Sequence, residues 1–104
     1  MTNIKLFQDK KIRSVWNDEE EQWYFSVVDV VAALTDSPTP RQYWRKMKDR
    51  DLKEHETYPF WVQLKLTAPD GKKRETDCAN VKSLFRIIQS IPSPKAEPFK
   101  QWLA

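Results

Sequence analysis

The sequence predicts an α+β fold in which a small antiparallel sheet of β-hairpins packs against three to four helices. Three features carry that expectation. Residues 4–16 and 61–67 show the two-residue alternation of half-buried strands, with 23–25 and 72–76 as further short strands, and residues 27–35, 40–50 and 79–89 show helical caps or helical spacing. Strands and helices also come in runs, without the strict alternation that a parallel sheet requires. At 104 residues the chain is expected to form one domain over residues 1–104, because two cores would each fall near the size that needs metals, disulfides or partners.

The first hairpin is expected over residues 4–16, where Ile4, Leu6 and Gln8 alternate with Lys5 and Phe7. The polar Asp9-Lys10-Lys11 separates them from Ile12, Val15 and Trp16. Residues 17–22 place four consecutive acids between two tryptophans, the composition of a solvated loop tip, and Trp23-Tyr24-Phe25 resumes a strand. Ser26 with Asp29 three residues on has the spacing of a capping box. Residues 27–35 are therefore assigned to a buried helix, despite four valines that favour a strand. Thr39-Pro40 is an N-cap followed by proline at the first helical position, and it starts a helix from Pro40 to about Arg50. On that helix Tyr43, Trp44 and Met47 share one face, Arg41, Arg45 and Lys48 a second, and Lys46, Arg50 and Lys53 a third.

Residues 61–67 alternate as a strand with one buried face, Pro69-Asp70-Gly71 supplies a turn, and residues 72–76 return. Asp77 is the expected cap of a helix over about residues 79–89, with Val81, Leu84, Phe85 and Ile88 as its apolar stripe. A last helix is expected over residues 95–103, with Trp102 exposed for want of a covering segment. The ending at Ala104, without a polar tail, reads as a domain cut from a longer protein.

Composition removes several classes. The single Cys78 rules out an intramolecular disulfide and fits a reducing cytoplasm, the expected location. No apolar run approaches about 18 residues, and the opening Met-Thr-Asn-Ile-Lys lacks a basic region followed by an apolar one, so neither a membrane span nor a signal peptide is expected. One His and one Cys cannot build the usual zinc site, and the lone Gly71 cannot build a Gly-rich phosphate loop. No metal and no cofactor is expected. Nor is catalysis: His55 lies between Glu54 and Glu56 with no nucleophile near it in sequence. Cys78, at an expected helix start whose dipole could lower a thiol pKa, is better explained as a small buried residue. The run Asp18 to Glu21 lacks the ligand spacing of a cation loop.

The net charge of +3 is unevenly placed. Residues 1–40 hold four basic and seven acidic groups, and residues 41–53 alone hold six and two. A second basic cluster, Lys72-Lys73-Arg74, closes the second hairpin. With helix and hairpin tip on one side, the two clusters make a cationic surface suited to duplex phosphates, and Arg41 and Arg45 are of the type that bonds guanine edges in a major groove. The plainer reading is a solvated helix face in a chain with 32% charged residues. Tyr43, Trp44 and Trp61 have the chemistry to stack on bases, but their spacing assigns them to the core.

The stretch from Trp23-Tyr24-Phe25-Ser26-Val27-Val28-Asp29-Val30-Val31-Ala32-Ala33-Leu34 to Pro40-Arg41-Gln42-Tyr43-Trp44-Arg45-Lys46-Met47-Lys48 resembles the Bro-N domain of prophage antirepressors and related bacterial and viral proteins. Ile4-Lys5-Leu6-Phe7, Ile12-Arg13, Leu64-Lys65-Leu66, Thr76-Asp77 and Leu84-Phe85-Arg86-Ile87-Ile88 extend the match over nearly the whole chain. Tyr43-Trp44 and the loop around Gly71 are similar to antirepressor-like and DNA-damage-inducible bacterial members. The resemblance implies a DNA-binding module, usually N-terminal and joined to a variable C-terminal domain, in proteins that regulate phage or stress genes, and it carries no catalytic motif. Candidate contacts to double-stranded DNA are named from charge and expected exposure: Arg41, Arg45, Lys46, Lys48 and Arg50 on the helix, and Lys72, Lys73 and Arg74 on the hairpin. A homodimer would enlarge the modest footprint of one domain. The competing reading is a protein-interaction module that captures a repressor or other regulatory protein, with Asp18 to Glu21 meeting a basic partner surface.

Overall fold

Phe7 and Lys10 face each other across a turn whose two central residues, Gln8 and Asp9, both take positive φ (48° and 70°). That mirror-image geometry matches the right-handed strand twist, so it closes β1 (Asn3–Phe7) tightly on β2 (Lys10–Asn17). Gln8 thus belongs to the turn and does not extend the alternation. The computed structural model describes residues 2–50 and 61–103. Lys53 and His55 lie outside them.

β2 pairs with β3 (Gln22–Ser26) around the acidic loop, and β3 leads directly into α1 (Val27–Thr35). α2 spans Pro40–Arg50, β4 Val62–Thr67, β5 Lys73–Asn80, α3 Val81–Gln89 and α4 Ala96–Leu103. Among the described residues the strands form one antiparallel sheet in the order β1-β2-β3-β5-β4, an α+β arrangement with four helices. The Thr67 N–H, on edge strand β4, donates to Thr2 Oγ1, just ahead of edge strand β1, at 3.2 Å.

Register decides which residues reach the core, since cross-strand partners share a face. Ser14 faces Phe25 and Phe25 faces Ala79, so these residues and Ile12 point to the helices. There they meet Val30, Val31 and Leu34 of α1, Trp44 and Met47 of α2, Leu84, Ile87 and Ile88 of α3, and Phe99 of α4. Burial of one such side chain contributes about 2 kcal/mol. The opposite face carries a smaller cluster of Tyr24, Leu66 and Cys78, flanked by Val15 and Leu64. Residue 62 begins the alternation of β4, yet Val62 remains exposed and burial of that face is completed only at Leu66.

Local chemistry departs from the sequence expectation at four places. Ser26 Oγ caps α1 by accepting the Asp29 N–H, but the Asp29 carboxylate turns to Arg13, so only half of a capping box forms. α3 is capped by Asn80, whose Oδ1 accepts the Ser83 N–H at 2.9 Å. Asp77 is not that cap, because β5 keeps pairing with β4 and β3 through this region and delays the helix to Val81. The α3 stripe runs through Leu84, Ile87 and Ile88, leaving Phe85 half-buried. Trp102 is half-buried, not exposed: its Nε1 donates to the Leu6 carbonyl at 2.9 Å and its ring packs on Phe99 and Phe7.

Candidate nucleic-acid interface

Proline at position 40 starts α2 with a fixed φ and without an N–H that the first turn could not use. From there the 3.6-residue period places Trp44 and Met47 inward and Arg41 and Arg45 one turn apart on the exposed side. Trp44 is 3% exposed and meets Trp61 edge-on, with ring centroids 5.2 Å apart. Both rings belong to packing, and Trp44 has no free face for a base.

Asp77 fastens α2 to the second hairpin. Its Oδ2 accepts from Trp44 Nε1 at 2.8 Å and from Lys48 Nζ at 2.9 Å, and its Oδ1 accepts from Gln63 Nε2 at 3.3 Å. Lys48 also lies 5.4 Å from the centre of the Trp44 ring, within cation–π reach. Burial alone would raise the Asp77 carboxyl. The hydrogen bonds from Lys48, Trp44 and Gln63 and the Lys48 charge outweigh it, and hold the pKa below the ordinary carboxylate value.

With the helix so fixed, a cleft of about 250 Å³ opens between α2 and β5, lined by Arg41, Arg45 and Lys48 on one side and Arg74, Glu75 and Thr76 on the other. Four of the eight sequence candidates thus share one cleft. Lys46 and Arg50 of α2 and Lys72 and Lys73 of the hairpin do not line it, although all four are exposed.

The cleft cations differ in what already occupies them. Lys48 is held by Asp77, and Arg74 Nη2 pairs with Asp70 at 2.7 Å on the surface. That pair holds the exposed Asp70 carboxyl below its usual range through the Arg74 hydrogen bond, assisted by the Lys72 backbone N–H. Arg41 and Arg45 have no ion pair or hydrogen-bond partner among the described side chains.

Arg13 also reaches the cleft and was not a candidate from sequence, where it was one strand residue among several. It is committed to the fold. Nε and Nη2 bond the two Asp29 oxygens at 2.8 and 3.1 Å, Nη1 reaches the Thr67 carbonyl at 3.2 Å, and Nη2 also reaches Ser26 Oγ at 3.3 Å. The Arg13 backbone N–H donates to the same Asp29 at 2.9 Å. Such a bidentate pair joins β2, α1 and β4 at one point.

Two other expectations are resolved elsewhere. The acidic tip is solvated as expected, with Asp18 to Glu21 all exposed, and it is also ordered: the Tyr24 hydroxyl donates to Glu20, and the Glu20 N–H donates to Asn17 Oδ1 at 2.9 Å. The hydrogen bonds from Tyr24 and Gln22 lower the Glu20 pKa, while burial and Glu20 together raise that of Tyr24. Cys78 lies inside β5, fully buried, and burial pushes its thiol up to about 12, so no helix dipole activates it. Among the described residues no three His, Cys, Asp or Glu side chains gather as metal ligands would, and no helix is long and apolar enough to cross a membrane.

Residues 11–104 match the Bro-N family, the N-terminal domain of the BRO family. No curated protein and no solved structure matches the chain.

Proposed function

Since the chain belongs to the BRO family through its N-terminal domain, we propose that it is the duplex-DNA-binding part of an antirepressor-like transcriptional regulator. The observation that carries this reading is the pair Arg41 and Arg45, exposed and without ion-pair or hydrogen-bond partners among the described residues, lining a cleft whose far wall is Arg74, Glu75 and Thr76 of β5. Guanidinium groups left unneutralised on a rigid helix are pre-organised for phosphate and base-edge acceptors. Lys46, Lys72 and Lys73 extend the cationic surface beyond the cleft and supply phosphate contacts. Arg50 lies at the end of the same helix. Lys48 and Arg74 contribute field but must exchange an existing carboxylate partner to touch DNA. No catalytic step is assigned to the domain, and the regulated genes belong to phage or stress responses in this reading.

About four phosphate contacts give a slope near −3.6 in log affinity against log salt, or roughly 150-fold weaker binding between about 50 and about 200 mM salt. Fluorescence anisotropy of a labelled duplex at those two concentrations measures it, with Arg41→Glu, Arg45→Glu as control and circular dichroism to show that the control is folded. Steep salt dependence lost in the control supports the reading. A flat response, or equal binding by the control, contradicts it.

The second reading, capture of a repressor protein, is favoured by the β2–β3 tip, where Asp18 to Glu21 are all exposed and only Glu20 is held by the Tyr24 hydroxyl. Replacing Glu19 and Glu21 by Lys removes protein capture and leaves duplex binding intact if that surface is the partner site.

A further inference from the structure

A cleft that served only to clamp phosphate would have no use for a carboxylate in its lining, yet Glu75 lines the same cleft as Arg41 and Arg45. Glu75 and Asp77 are two residues apart on β5, so their side chains share the sheet face on which α2 is fastened. The two acids are employed differently. Asp77 is paired with Lys48 and hydrogen-bonded by the Trp44 indole, whereas Glu75 is exposed and has no hydrogen bond or ion pair among the described residues, although Lys65 stands opposite it in the sheet. The cleft therefore presents two unoccupied guanidiniums from one wall and one unoccupied carboxylate from the other.

One guanidinium of that set and the carboxylate together complement one base pair seen from the major groove, and the second guanidinium is left for the neighbouring phosphate or base. Guanine offers O6 and N7 as acceptors, which a guanidinium satisfies bidentately, and the cytosine paired with it offers the N4 amino group, which a carboxylate accepts. Adenine–thymine pairs present an amino donor and a methyl group in other places and satisfy the set poorly. The carboxylate also repels the phosphate backbone, so its presence weakens sequence-independent binding while favouring a site where the amino donor is in place. Resting on the DNA-binding reading above, we propose that Glu75 is a specificity-determining residue, which together with Arg41 and Arg45 selects a G·C pair in the major groove.

Selection from a pool of randomised duplexes tests this, run in parallel with the wild-type chain, Glu75→Gln and Glu75→Ala, followed by anisotropy on the enriched duplex and on an unselected one. The wild type is expected to enrich a site with an invariant G·C pair. In Glu75→Ala that position relaxes, the preference for enriched over unselected duplex falls about 5- to 150-fold, the value of one good base contact, and binding to unselected duplex tightens. Glu75→Gln, which keeps an acceptor and loses the charge, is expected to lie between them. Enrichment of the same motif by all three proteins, or a uniform rise in affinity with an unchanged preference, would overturn the role of Glu75 while leaving DNA binding standing. Retention of no duplex by the folded wild type would overturn both.

Discussion

Arginine occupies two regions of this molecule, the junction of β2 with α1 and the outer face of α2, and is employed in opposite ways. Arg13 at the junction has a side chain 17% exposed and delivers its guanidinium to Asp29, Ser26 and Thr67, so all three of its nitrogens already donate within the fold. Arg41 and Arg45 are exposed and have no such partners among the described residues. The difference shows that charge in a sequence is not a measure of charge on offer. What distinguishes a binding cation from a structural one is whether the fold has placed a carboxylate within reach of it.

Three replacements probe the two kinds of arginine and Asp77, the partner of Lys48. The largest effect is expected for Arg13→Ala, which leaves the Asp29 carboxylate and the Ser26 cap without their partner in a partly buried site and costs about 3 kcal/mol in urea unfolding. A loss as small as that of a surface substitution would place Arg13 with the functional arginines. A smaller effect is expected for Asp77→Asn, and it depends on pH. The folded pKa of Asp77 lies below its ordinary value of 3.8, so its stabilisation is present above that value and is lost as pH falls through the depressed folded value. Wild type and Asp77→Asn should therefore differ in urea midpoint at about pH 7 and converge near about pH 2, and a constant difference would deny the role of the charge. The smallest effect on stability is expected for Arg41→Ala with Arg45→Ala, within about 0.5 kcal/mol, since exposed side chains without partners hold nothing together. A larger loss would mean that α2 needs them for its own packing.

Much of the fold was legible because it rests on local periodicity. The valine-rich α1 was readable from Ser26 and Asp29, and α2 from Thr39-Pro40, because caps and prolines act within a few residues of where they stand. What the sequence could not show was partnership across long separations. The spacing of Ser26 and Asp29 suggested a reciprocal box, but Arg13, 16 residues away from Asp29, claims the carboxylate. Asp77 preceded a helix and had a cap's chemistry. Trp44 and Lys48, some 30 residues earlier, take its oxygens instead, and pairing of β5 moves the cap to Asn80. The candidate site divided along the same line. Arg41 and Arg45 were visible as exposed positions on an amphipathic helix, and their meeting with Arg74 and Glu75 follows from tertiary packing that no window of the sequence contains. One signal was available for Glu75: it alternates with Asp77 on a strand flanked by three basic residues, and so marks a face on which acids interrupt a cationic surface.

On the DNA-binding reading, duplex DNA sits over the cleft between α2 and β5. Backbone amide chemical-shift mapping of the isotopically labelled chain, titrated with a short duplex at low salt, tests it most directly. The account predicts perturbations concentrated over the N-terminal half of α2 and over residues 72–77, with the loop of residues 18–21 unmoved. Perturbations centred on that acidic loop, or none anywhere on the folded chain, would contradict it.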